Sequence, residues 1–256
     1  RMYVRPENED QFGLHVAADL VGTTASYKND AVWTTVQDEL FTGTGMGIDT
    51  IDLLILLGHY IASGSVQDQG RVVFAPISIH RMLELLDICR SNGLNYTIKP
   101  DGIHIRMVIS STELHDWIVY ETRDRAALLN RVTRLSVRQT WELYRSISVA
   151  MPSQFYVGSS LCYDIMSILI LQTCQAVTIE TTGRPDDLLT MYGVSDDGPY
   201  WKFTRINGDA IVYPEDTNVI EYNGSVYCIT VNTGIFYVER NGKASWTGNS
   251  SRHGNK

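Results

Sequence analysis

The chain has 256 residues, 44% of them hydrophobic, and carries 29 acidic against 21 basic side chains, for a net charge of −8. That length supports a sizeable core and about two domains, and the acidic balance argues against a protein that grips long duplex DNA through many phosphate contacts. No apolar run reaches membrane-spanning length, residues 53–61 being far too short. The cysteines Cys89, Cys162, Cys174 and Cys228 lack the paired spacing of a disulfide scaffold or zinc site, so no membrane, metal or other cofactor is expected.

The chain opens on Arg1-Met-Tyr-Val-Arg5 and a polar run. Residues 52–66 are apolar on most faces of a helix, with Gly58 and Ala62 one turn apart, the small-residue spacing that lets two helix backbones approach. Strands are predicted over 71–77 and 103–109. Between them a helix over 79–90 puts Ile79, Met82, Leu83 and Leu86 on one face. Ser110 with Glu113 marks another capped helix, and Ser136 with Gln139 forms a capping box for a helix over 135–149. Arg131, Arg134, Arg138 and Arg145 read as a solvated face, offset by Asp124 and Glu142. A strand from 154 ends in a cap at Ser160, ahead of a helix over 161–173. Asp186-Asp187 and residues 195–199 are loop-like, and strands are predicted next over 200–206, 210–213 and 219–222.

Residues 226–231 alternate apolar positions as a strand does, 235–238 repeat the pattern, and Asn241-Gly242 is a favoured hairpin pair. Asn249 then precedes Ser250. An Asn amide can attack its own backbone carbonyl, closing a succinimide and releasing the chain downstream of it, while a Ser can carry an acyl group as an oxygen ester. The stretch resembles the C-terminal end of an intein, whose pattern is a V-Y-D-L-T-V strand, a short strand containing N-F, and His-Asn before Ser, Thr or Cys. Gly248 stands where the family has its penultimate His, and the His preceding the Phe is replaced around Gly234 and Ile235. Cys228 stands where most members have Asp. It reads either as a nucleophile of lowered pKa or as a small buried strand residue. With Thr247 it is similar to the minority class in which this internal Cys attacks the upstream junction. Arg1–Arg5 looks like the segment immediately after the family's Thr-x-x-His block, which implies a separate N-terminal intein fragment of about 50 to 80 residues as partner.

Ser250-Ser-Arg-His-Gly-Asn-Lys256 is similar to the S-S-R-H-G-Q-K-G signature near the active centre of the second-largest, beta-type subunit of DNA-dependent RNA polymerase, in a Ser-Ser form closer to eukaryotic or viral sequences than to bacterial ones. An RNA polymerase extein is therefore the implied host, and with it an intracellular location beside that polymerase.

Residues 56–64 resemble the LAGLIDADG motif of homing endonucleases, which inteins often carry as an inserted domain. The alternative is an ordinary buried core helix. A second motif helix is implied at 135–149, succeeded by the family's strand and Ser-Ser-capped helix. A nuclease of this kind needs an acid at the eighth position of each motif helix to hold a divalent metal against the phosphates. Those positions are Ser63 and Met151, neither a hard oxygen ligand, so DNA cleavage is expected to be lost and DNA binding to be weak.

The fold class implied is α+β, a mostly β splicing domain of Hint type (1–50 and 186–249) interrupted by an α/β LAGLIDADG-type domain (51–185), with 250–256 as extein. The activity implied is single-turnover autocatalytic splicing, in which the acyl group passes to Ser250, Asn249 cyclises, and donors near Thr247 stabilise the oxyanion. An active endonuclease and a non-catalytic splicing remnant are the alternatives.

Overall fold

A computed structural model describes residues 1–30, 40–41, 45–77, 79–101, 104–148, 154–183, 199–225, 229, 231–240 and 243–248. In chain order the elements are β1 (Met2–Pro6), β2 (Gly13–His15), β3 (Ala25–Tyr27), α1 (Thr50–Ser63), β4 (Gly64–Gln67), β5 (Arg71–Ile77), α2 (Ile79–Ser91), β6 (Asn95–Asp101), β7 (His104–Ser110), α3 (Thr112–Thr122), α4 (Arg125–Val132), α5 (Val137–Ile147), β8 (Gln154–Val157), α6 (Ser160–Gln172), β9 (Ala176–Thr182), β10 (Tyr200–Ile206), β11 (Ala210–Val212), β12 (Ile235–Arg240) and β13 (Lys243–Gly248), with 3-10 turns at Ala17–Leu20 and Pro214–Asp216. The protein is thus mixed α and β. It divides into a terminal unit (Arg1–Ala31, Gln175–Ile179, Arg205–Lys256) and a central unit (Val32–Cys174, Glu180–Thr204). The sequence analysis put its divisions at 50/51 and 185/186 instead. Among the described residues no helix is long and apolar enough to cross a membrane.

The central unit is organised by α1. Asp49 caps its start by accepting from the Ile51 amide, and the Gly64 amide closes it on the Tyr60 carbonyl. Gly64 is required there, because a Cβ would lie 2.6 Å from Tyr60 Cα. Buried residues run without a break from Leu53 to His59, so the helix is covered on more than one side. One side meets the antiparallel sheet β4-β5-β7-β6, where Leu53 and Leu56 join Val72, Phe74, Leu85, Met107, Ile109, Leu114 and Ile118 in one core. Another side packs along α5. Each fully buried Leu on α1 contributes about 1.5–3 kcal/mol relative to exposure, which explains why a stretch with so little polar character is stable here.

Several local expectations shift. The α2 stripe is rotated: Arg81, Leu85, Leu86, Ile88 and Cys89 are buried, whereas Ile79 and Leu83 are exposed. The α3 cap is Ser111, one residue later than expected, its hydroxyl accepting from Leu114 N. Ser136 caps α5 by accepting from Gln139 N, but the Gln139 side chain does not complete a box. It is fully buried and instead bonds the Leu40 backbone, donating to the carbonyl at 2.6 Å and accepting from the amide at 3.1 Å. Helix α4, not anticipated, is capped by Asp124, which accepts from Ala127 N. Strands β8 and β10 pair antiparallel, and Phe155 stacks on Phe203 with centroids 4.8 Å apart.

In the terminal unit, β1 pairs with β2, β3 and β13, all antiparallel, β11 flanks β3, and β12 forms a hairpin with β13. Among its described residues, Val4, Leu20 and Ala25 form one core cluster, with Met2 and Tyr27 against them. The strand expected over 219–222 is not formed. Val219, Ile220 and Tyr222 are exposed in irregular backbone.

Candidate functional site

Of the residues that sequence reasoning assigns to splicing, Thr247 and Gly248 lie at the end of β13, whereas Asn249, Ser250 and Cys228 fall outside the described residues. The β12/β13 register runs from Arg240↔Lys243 to Ile235↔Gly248, and β1 joins β13 with Met2 opposite Thr247. Two donors converge on the Arg1 carbonyl: the Gly248 amide at 3.0 Å and the Thr247 hydroxyl at 3.2 Å. The Gly248 amide, one backbone donor near Thr247, is thus engaged in holding β1. Gly248 is buried, and a Cβ there would overlap Leu14 Cδ2 and sit 3.3 Å from Arg1 Cβ.

The backbone of residues 28–30 lies against the same hairpin. Trp246 N donates to Lys28 O at 3.0 Å, the Tyr237 hydroxyl to Asn29 O at 3.0 Å, and Trp246 Nε1 to Asp30 O at 2.7 Å. Sequence reasoning missed Asn29, whose side chain is buried with neither amide atom hydrogen-bonded. No local signal marks such a residue, because its burial is set by strands distant in sequence.

The second candidate site is the helix pair of the central unit. A Cβ on Gly58 would overlap the Ser146 hydroxyl and lie 3.3 Å from Leu143 Cδ1, so the two helices approach at this glycine. The Ser146 hydroxyl turns back to donate to Leu143 O at 2.9 Å. Counting on equally from Gly58 and Ser146 reaches Ser63 and Met151, the same pair the motif alignment gave. Ser63 Oγ is buried and has no hydrogen-bond partner, and Met151 lies outside the described residues. Among the described residues no group of three or more His, Cys, Asp or Glu side chains could hold a metal ion.

Where α1, α2 and α5 meet, the interface is charged. His59 and Glu84 pair at 2.8 Å, Arg145 donates to the other Glu84 oxygen at 2.6 Å and to Glu142 at 2.9 Å. Burial opposes ionisation of Glu84, but the hydrogen bonds and charges of His59 and Arg145 outweigh it and bring its pKa down to about 2. Burial lowers the pKa of His59 despite its bond to Glu84, with the Arg81 and Arg145 charges acting the same way. Arg81, buried, donates to the Ser146 and Ile147 carbonyls at 3.1 and 3.0 Å, satisfying orphan groups at the end of α5. Arg131 pairs with the buried Glu121 at 2.6 Å. Arg131 and Arg145 thus make ion pairs with the core-facing Glu121 and Glu84, while the Arg145 side chain stays half-exposed.

No protein-family model matches the chain. It is 48% identical over 52 residues to the ATP-dependent Clp protease proteolytic subunit of Chlamydomonas moewusii, and 56% identical over 36 residues to the C-terminal section of the DNA-directed RNA polymerase subunit beta of Stigeoclonium helveticum. These matches take in 18% and 14% of the chain and span only 5% and 3% of the two relatives. Similar solved structures include I-DmoI in complex with DNA and Mn (13% identity, TM-score 0.40, covering 61% of this chain and 89% of that one). Another is full-length DUF199/WhiA from Thermatoga maritima (12% identity, TM-score 0.38, covering 60% and 50%).

Proposed function

We propose that the terminal unit is a Hint-type protein-splicing element, that the chain is the C-terminal part of an intein within an RNA polymerase subunit, and that the central unit is a LAGLIDADG-type domain that no longer cuts DNA. The observation that carries this reading is the pair of hydrogen bonds that Gly248 N and Thr247 Oγ1 donate to the Arg1 carbonyl. It ties the strand at the start of the terminal unit to the strand that leads into Asn249. Splicing needs that closeness, since an acyl group must pass from an upstream junction to Ser250 before Asn249 cyclises.

The short matches favour the same reading. A 36-residue stretch cannot fit within 250–256, so the likeness to the RNA polymerase relative extends into residues before Asn249. A Clp protease subunit, a protein of different name, also shares a short segment. An inserted element carried by different hosts accounts for both. Cys228 stays a candidate nucleophile on the resemblance alone, and the location proposed is intracellular, with the host polymerase.

The test is intact mass. The purified chain is incubated alone, and again with an N-terminal intein fragment carrying a few host residues. The expected products are a chain ending in a succinimide at Asn249 and host residues ligated to Ser250. Asn249→Ala abolishes both. An unchanged mass in every mixture would leave a non-catalytic remnant as the correct reading.

One observation keeps a nuclease as second reading: the close approach of α1 and α5 at Gly58 and Ser146. A thioether and a hydroxyl at the eighth positions are poor ligands for Mg²⁺. Metal-dependent cleavage of an uninterrupted RNA polymerase gene by this chain would overturn the proposed loss of activity.

A further inference from the structure

The sequence holds four Asn-Gly pairs, at 92–93, 207–208, 223–224 and 241–242. In such a pair the glycine nitrogen can attack the asparagine Cγ, because no side chain on the second residue hinders its approach. The reaction needs a free carboxamide, a free glycine amide and a backbone that lets the two atoms meet at about 3–3.5 Å. The structure separates the pairs on these criteria, the one at 241–242 lying outside the described residues.

At the end of α2, Asn92 is held on every side. Its Nδ2 donates to Asp52 Oδ2 at 2.6 Å, to Ile88 O at 2.9 Å and to Ser91 Oγ at 3.2 Å, and its Oδ1 accepts from Asp49 N at 3.3 Å. The Gly93 amide donates to Arg90 O at 3.4 Å. Attack there must wait until this part of the fold opens. Asn207 and Asn223 are placed differently, each exposed together with its glycine and outside helix and strand. Among the described residues neither their carboxamides nor the Gly208 and Gly224 amides take part in a hydrogen bond. Gly208 has a φ of +84°, a backbone conformation that glycine adopts without strain.

We propose that Asn207 and Asn223 are sites of spontaneous deamidation in the folded protein, and that the fold protects Asn92. Gly208 N or Gly224 N bonds to the Cγ before it, the Cγ–Nδ2 bond breaks, and ammonia leaves with the proton from the glycine nitrogen. Solvent water then opens the succinimide at either carbonyl and restores that proton, leaving aspartate or isoaspartate. Splicing plays no part in this step: at Asn249 the carboxamide would be the attacker, whereas here it is the group attacked. Each event adds a negative charge to a chain already at −8. At 207 the new carboxylate falls close in sequence to Asp209, the partner of Arg5 at 3.8 Å. The isoaspartyl form also adds a methylene to the main chain just ahead of β11, which pairs with β3 from Ala210 onwards. At 223 the surrounding backbone belongs to no ladder, so the change there is one of charge alone.

The purified chain is incubated in heavy-oxygen water at mildly alkaline pH, folded and, in parallel, fully unfolded in denaturant, then digested in ordinary water for peptide mass mapping. Each conversion fixes one solvent oxygen, so the label marks only events during the incubation. In denaturant the peptides of Asn92, Asn207 and Asn223 should convert at comparable rates. In the folded chain Asn207 and Asn223 should keep pace with the unfolded sample. Asn92 should lag by a factor of at least about 10, which one hydrogen bond to a charged carboxylate imposes when it must break first. Asn207→Gln and Asn223→Gln should each abolish the label in its own peptide and leave the other unchanged. Conversion at Asn207 and Asn223 slowed by folding as much as at Asn92 overturns the assignment, and so does an Asn92 that keeps pace with both.

Discussion

The two units solve the problem of burial differently. The central unit surrounds α1 with a sheet on one side and α5 on another, and its buried charges have partners: Arg81 on helix-end carbonyls, Glu84 between His59 and Arg145, Arg131 on Glu121. Among its described residues the terminal unit has a core cluster of three buried side chains, Val4, Leu20 and Ala25, with Ala176 and Ile179 also buried, an unpaired buried Asn29, and exposed Val219, Ile220 and Tyr222. The terminal unit holds β13, the strand that leads into the proposed junction, while counting on from Gly58 and Ser146 in the central unit reaches Ser63 and Met151 rather than acids. On the proposed reading, stability and chemistry are thus partitioned, the chemistry falling to the unit whose described core is slighter.

Core truncation gives the largest expected effect and would break this comparison most directly. Phe74, fully buried in the central core, should lose about 3–5 kcal/mol on Phe74→Ala. Val4→Ala should cost the terminal unit less, about 1–2 kcal/mol, because only its two γ-methyl groups are removed, from a small cluster. Denaturant unfolding monitored by hydrogen exchange in each unit separates the two, and equal losses would mean that the units are equally dependent on their cores. Next in size is Gly58→Val. Its side chain overlaps Ser146 and Leu143, and overpacking of this kind costs about 1–3 kcal/mol. The loss should appear in central-unit exchange and leave the Gly248 amide protection unchanged.

Acid should weaken the central unit first. His59 is held below its ordinary value of 6.5, mainly by burial. The unfolded chain takes up that proton as pH falls through about 6.5, while the folded chain does not, so stability present above this value declines below it. Glu84, depressed from 4.5 to about 2, adds stability that is present above 4.5 and is lost as pH falls towards 2. His59→Gln should flatten the upper part of the profile, between about pH 6.5 and 5, and leave the lower part visible. A parent melting temperature that is flat from pH 7 to 5 would contradict the assignment.

What could be read from sequence was whatever local pattern decides. The helix at α1 is legible because its apolar run has one interpretation at that length, and its Gly58 spacing does mark the contact with α5. The α2 face was misjudged because Arg81 turns inward for carbonyls 65 and 66 residues away, which carries Ile79 and Leu83 outward. Gln139 had the right residue type for a capping box, but a tertiary partner at Leu40 outcompeted the local one. In the candidate sites, the motif pointed to Ser63, whereas no local pattern marks Asn29, whose burial is set by strands distant in sequence.

The smallest expected effect tests the misread segment at 219–222. The β-branched and aromatic residues of 219–222 predict a strand there, and a side chain pointing inward from such a strand would lose about 1 kcal/mol or more on becoming polar. In the structure Val219 is 83% exposed and belongs to no ladder, so Val219→Asn should change stability by no more than about 0.5 kcal/mol. The substitution also removes a β-branched residue from irregular backbone, where its stiffness at χ1 contributes little. A loss above about 1 kcal/mol would mean that this segment is packed in solution and that the terminal unit's core is larger than the cluster around Val4. A loss near zero would keep the contrast between the units, with this segment contributing nothing to the cluster around Val4.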